Sequence, residues 1–145
     1  MEWDVNWNLS LDVSSDNAAY IIKKIDPYRC APHGVQYIFK FENGYGASVI
    51  KHFGSYGNEE DKWEIAVLKD DELCYDTPIT HDTIGHLTDA EVDQYLTQIR
   101  KLTENEVQIS RLRYKLDDLE WEIKNNLEAL NDILDEINRL CGGLK

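Results

Sequence analysis

Basic residues, cysteines and long apolar runs are all scarce in this 145-residue chain. Fifteen Lys+Arg stand against 28 Asp+Glu, a formal net charge of -13. A phosphate backbone would be repelled across most of such a surface, so direct nucleic-acid binding is not expected. Cys30, Cys74 and Cys141 are odd in number and widely spaced, which suits a reducing cytoplasm better than a disulfide framework. No run approaches the ~18 apolar residues of a membrane-spanning helix. The opening Met1-Glu2-Trp3-Asp4 lacks the basic-then-apolar order of a secretory leader. A cytoplasmic location is the expectation.

Signatures of chemistry are missing too. Gly44, Gly46, Gly54 and Gly57 sit in hairpin and loop contexts, with no strand-to-helix phosphate cradle and no Gly-Lys-Ser/Thr element. His81 and His86, near Asp76 and Asp82, are five residues apart, a spacing that matches neither a helix face nor a strand face. The pairs Cys30 with His33 and Cys74 with His52 lack any oxyanion-hole sequence beside them. No catalytic residue, metal or cofactor is expected, and the chain reads as a non-enzyme.

What is present is pattern. With 42% hydrophobic residues the chain can build one modest core. Trp3, Val5, Trp7, Leu9, Leu11 and Val13 alternate with polar residues, which predicts a half-buried strand. Ser14-Ser15-Asp16-Asn17 offers helix-start chemistry, and Ala18, Ile21, Ile22 and Ile25 follow at helical spacing before Pro27, predicting a short helix. A loop is expected from Pro27 to Gly34. Val35, Tyr37, Phe39 and Phe41 alternate again, and Asn43-Gly44 supplies the positive backbone angles of a tight hairpin whose return strand is Tyr45 to Phe53. After an exposed loop over 54–61, Trp63 to Leu68 reads as a strand, with a short one around Leu73 to Tyr75 beyond Asp70-Asp71. The fold class is α+β: an antiparallel β-meander packed with short helices, followed by a long C-terminal coiled-coil helix.

Thr88-Asp89-Ala90-Glu91 opens a helix carrying Val92, Tyr95, Leu96 and Ile99 on one side, and Thr103-Glu104-Asn105-Glu106 repeats the capping signature. A break near Leu102 with a restart, or one continuous helix, both fit. From there a heptad runs with Ile109, Leu116, Ile123, Leu130 and Ile137 at a and Leu112, Leu119, Asn126, Ile133 and Leu140 at d. The helix would extend roughly 55 Å, longer than a small domain is wide. Its simplest partner is a second copy of itself, giving a homodimer, with an intramolecular hairpin against the shorter 89–101 helix as the alternative. In a parallel pair Lys115 faces Glu120, Gln108 faces Arg113, and Asn126 favours alignments in which it meets its counterpart. Leu127 and Leu134 widen the stripe enough for a larger bundle. Gly142-Gly143 ends the helix. The domains are then an α+β head over 1–102 and an oligomerisation helix over 103–141.

Charge is unevenly spread: residues 59–93 hold 12 acids against Lys62 and Lys69. Such a segment is either a solvated face or a surface complementary to a basic groove. In the second case Glu59, Glu60, Asp61, Asp70, Asp71 and Glu72 are the partner-binding candidates. Tyr114 and Trp121, at successive f positions away from the seam, either anchor a partner or mark where the head docks on its own helix.

The strings Phe41-Glu42-Asn43-Gly44-Tyr45-Gly46-Ala47-Ser48-Val49-Ile50, Gly54-Ser55-Tyr56-Gly57, Trp63-Glu64-Ile65-Ala66-Val67-Leu68 and Tyr75-Asp76-Thr77-Pro78-Ile79-Thr80 resemble a family of small bacteriophage and mobile-element proteins of mostly unassigned function. The resemblance covers about residues 36–101 and carries no catalytic motif; the N-terminal Trp segment and the 104–140 helix depart from it. It implies a protein of the bacterial host cell's cytoplasm. Small acidic proteins of that origin include anti-CRISPR inhibitors of Cas9-type effectors, whose nucleic acid lies in a positively charged channel that an acidic protein can occupy. The resemblance therefore implies a host defence nuclease complex with a basic surface as partner. The alternative is a virion structural or assembly scaffolding protein acting through its coiled coil.

Overall fold

The structure, a computed structural model, describes residues 6–26 and 33–142. Its contacts divide the chain into two compact units, 1–107 and 108–145. The first unit is built on one antiparallel sheet. Strands β1 (Ile21–Ile25), β2 (Gly34–Lys40), β3 (Tyr45–His52) and β4 (Trp63–Lys69) follow one another as a meander. The far edge of β4 is shared by two short strands, β5 (Glu72–Leu73) at its Leu68–Lys69 end and β6 (Ile84–Leu87) at its Trp63–Ile65 end.

Alternation dictates the buried face. Val35, Tyr37 and Phe39 of β2 stand opposite Lys51, Val49 and Ala47 of β3, and Val49 and Ala47 stand opposite Ile65 and Val67 of β4. Period-two register puts all of these on one side of the sheet. Helix α2 (Asp89–Lys101) covers that side with Val92, Leu96 and Ile99, which its 3.6-residue repeat aligns on one face. The Thr88 hydroxyl caps its first turn by accepting from the Glu91 amide. Its C-terminus is held by Asn43, whose side-chain amide donates to the carbonyls of Ile99, Arg100 and Leu102 at 2.9–3.1 Å. The chain breaks at Leu102 and restarts, and the Thr103–Glu106 capping box opens helix α3 (Glu104–Gly142). Val107, in the first turn of α3, is fully buried in the head's core, so that turn belongs to the head.

Several expectations need correction. The alternating N-terminal segment joins no strand over residues 6–14; its earlier members, Trp3 and Val5, lie outside the described residues. It runs as an extended strap with Leu9, Leu11 and Val13 against the core, and side chains satisfy much of its backbone. Asp61 accepts from the Asn8 amide, the Tyr37 hydroxyl donates to the Leu9 carbonyl, and Asp89 and Asp93 accept from the amides of Asp12 and Ser14. Alternation reports a half-buried extended chain, whichever groups it bonds to.

The helix expected over Ser14 to Ile25 lasts one turn, α1 (Ser15–Ala18), and Ile21–Ile25 is strand β1. Three β-branched isoleucines among five residues, beside a free β2 edge, favour pairing over helix. Much of the Pro27–Gly34 loop, with Cys30, lies outside the described residues, as does Gly143. At the hairpin only Gly44 has positive φ; Asn43 serves as the α2 cap described above and also accepts from the Tyr45 amide. The strand expected near Leu73–Tyr75 is the two-residue β5, and β6 is an additional strand that the sequence pattern does not announce.

Candidate functional site

The six named carboxylates fall into two groups. Glu59, Glu60 and Asp61 lie in the β3–β4 loop, around a single 3₁₀ turn, at the Trp63 end of β4. Asp70, Asp71 and Glu72 lie at its Lys69 end, in a tight turn where Asp70 and Asp71 both take positive φ. Seven strand residues separate the groups, roughly 20 Å. The head therefore presents two acidic corners.

The first corner is tightly built. Lys51 lies on the buried register of β3 and is 1% exposed. Its ammonium sits 4.1 Å from the centre of the Trp63 ring and donates to the Asp61 carboxylate and the Asn8 carbonyl, each at 2.8 Å. A buried charge needs such partners, so Asp61 is a counter-ion for the core lysine. Glu60 is bonded to the Lys62 ammonium and the His86 ring, both at 2.8 Å. Lys62 first, and His86 after it, hold the Glu60 carboxyl below its usual range, and Glu60 raises Lys62 in return. The corner is closed by His86, whose amide donates to the Tyr56 carbonyl and whose backbone leaves no room for a Cβ on Gly57. Phe53 and Tyr56 are exposed beside it.

At the second corner Lys40 stands 3.7 Å from Asp71 across exposed surface, and Lys69 stands 3.5 Å from Glu104. An open groove runs along Lys69, Asp70 and Glu72–Asp76, where the Cys74 thiol bonds to Asp76. Among the described residues, Glu59, Asp70 and Glu72 have no cation paired with their side chains. Of the six candidates, half are thus spoken for within the head.

Sequence reasoning missed the roles of Lys51 and Asn17, and it weighed His86 only as a metal ligand beside His81, not as a partner of Glu60. Lys51 carried a usable signal: a lysine in register with Tyr45, Ala47 and Val49 implies a buried ammonium that must find a carboxylate. Asn17 is buried and bonds to Asp93 and Thr97 while accepting from Arg100, which pins the strap to α2. Burial works against the charge of Asp93, yet Asn17, the Ser14 amide and hydroxyl, and Arg100 together hold its carboxyl below the usual range. His52 and Cys74 lie near opposite ends of the sheet, so they form no catalytic pair. Among the described residues no group of three or more His, Cys, Asp or Glu side chains could hold a metal ion, and no helix is long and apolar enough to cross a membrane.

The second unit is one feature. The nine apolar a and d residues of α3 between Ile109 and Leu140 are each 48–62% exposed, and Leu127 and Leu134 beside them are similarly bare. At on the order of 100 Å² per side chain they offer roughly 900 Å² of apolar surface, more than a monomer's largest patch ordinarily shows and enough for one side of a standard interface. Asn126, at the tenth seam position, is exposed as well. Trp121 is 68% exposed and Tyr114 partly so.

The head thus presents two acidic corners, and α3 carries an uncovered apolar seam. No family model, no curated protein and no solved structure matches the chain.

Proposed function

We propose that this chain is a non-enzymatic, self-associating binding protein of phage or mobile-element origin that inhibits a host defence nuclease complex of the Cas9 type. The long helix pairs with a second copy as a coiled coil, and the head sets carboxylates against a basic nucleic-acid-binding surface. The observation that carries the reading is the seam, about 900 Å² of apolar surface that one chain leaves in water. The carboxylates of Glu59, Asp70 and Glu72 support the head's part, since a basic groove gains most from charges not already neutralised. Fast, salt-sensitive association follows.

The test is target-duplex cleavage by a purified Cas9-type effector with its guide, across a salt series. The protein should inhibit at low salt and progressively less as salt rises, and combined Glu59→Lys, Asp70→Lys and Glu72→Lys should abolish the effect. Cleavage unaffected at low salt would overturn the proposal. A scaffolding role through the coil is the second reading, favoured by the internal pairing of Glu60, Asp61 and Asp71. Full-length Leu119→Asp/Ile123→Asp separates the two: it abolishes a scaffold's assembly but only weakens an inhibitor whose heads act singly.

A further inference from the structure

Resting on the self-association just proposed, we infer that the second copy lies parallel and in register on α3, with Asn126 meeting Asn126 of the second copy and both heads entering the coil at one end. A seam of this length admits two full-overlap arrangements, and the layers distinguish them. In the parallel one each seam residue meets its own counterpart, so the two Asn126 amides share a layer and can bond to each other. In the antiparallel one Asn126 shares its layer with Ile123 of the second copy, and each amide faces an alkyl chain.

The flanking positions point the same way. A parallel pair sets each g residue against the e residue five places on in the other copy. That joins Lys115 to Glu120, opposite charges, Gln108 to Arg113, and Ala129 to Leu134, both apolar, with Glu122 against Leu127 and Glu136 against Cys141 as its two contacts of a charge with an apolar side chain. An antiparallel pair sets e against e and g against g. Leu127 then faces Glu120, Leu134 faces Arg113 and Glu122 faces Ala129, three mismatches. Its one attractive contact, Lys115 with Glu136, competes for a carboxylate that Arg139 already holds within the helix. Parallel pairing thus sets Leu134 against Ala129 and leaves Glu120 to meet Lys115. Because the heads precede the seam in both chains, they emerge side by side, and one basic surface could engage two heads at once.

Disulfide trapping tests this on the full-length chain, with Cys30, Cys74 and Cys141 replaced by serine and cysteine placed at Leu112→Cys or Ile137→Cys. Helical circular dichroism and sedimentation of each variant check that it still folds and associates. Under mild oxidation Leu112→Cys should cross-link to itself. An equimolar mixture with Ile137→Cys should give the two homodisulfides and under about a tenth of the mixed species, since like positions share a layer. A dominant mixed disulfide, which brings residue 112 beside 137, would overturn the parallel arrangement while leaving self-association intact. Variants and parent chain that sediment as single subunits would overturn both.

Discussion

Asp61 illustrates how a carboxylate that counts toward surface charge can be a structural part, and Asp61→Asn should expose the difference. The Lys51 ammonium has three partners: the Asn8 carbonyl, the Trp63 ring and the Asp61 carboxylate. Asn tolerates the left-handed backbone at position 61, φ 57°, so the substitution removes charge with little backbone strain. Removing one partner of a buried ion pair costs about 3–5 kcal/mol. Here the Asp61 side chain is 43% exposed, so water screens its half of the pair, and about 2 kcal/mol is expected. Lys51→Met keeps the stem over Trp63 and leaves the half-exposed Asp61 carboxylate to water and the Asn8 amide; it should cost under about 1 kcal/mol. The double variant should resemble Lys51→Met alone, a coupling of about 2 kcal/mol. Urea denaturation followed by tryptophan fluorescence, at one protein concentration throughout, measures all three. An Asp61→Asn loss below about 0.5 kcal/mol, or a Lys51→Met loss exceeding it, would refute the ion-pair reasoning. For the same reason charge reversal at Asp61 would confuse folding with binding, and the binding test above leaves it untouched.

Acid should loosen the strap. A carboxyl held below its ordinary value, as Asp93 is, contributes stability above that value and loses it as pH falls through the folded one. Stability should therefore decline below about pH 4, and Asp93→Asn should flatten that part of the acid limb in unfolding midpoints measured from pH 6 to 2. Asn43→Ala removes three hydrogen bonds from the α2 terminus and one from the hairpin, and should cost about 2 kcal/mol by the same denaturation assay. An unchanged midpoint would show that water replaces the side chain without loss.

The sheet's centre was legible because its signals are local and redundant: period-two burial in β2, β3 and β4, glycine at the hairpin, capping boxes before α2 and α3. The misreadings share a cause. Ala18, Ile21, Ile22 and Ile25 fit a helical period, yet the open edge of β2 decides their pairing, and that edge is not written in the five residues themselves. The strap alternates like a strand, but Asp61, Tyr37, Asp89 and Asp93, all distant in sequence, take up its backbone groups. Strand β6 hides behind a bulge: Trp63 and Ile65, two apart, pair with Leu87 and Ile84, three apart, which breaks the alternation a reader would look for. Of the acidic segment, the density and the strand between residues 59–61 and 70–72 were plain, but the pairing of Asp61 with Lys51 and of Asp71 with Lys40 was not, because only the fold brings those partners together.

Sedimentation equilibrium of the intact chain, from one to one hundred micromolar, addresses the uncovered α3 seam most directly. Burial of that surface against a second copy predicts a mass at least twice the 16.9 kDa of one chain throughout the range. A mass of 16.9 kDa at every concentration would contradict it.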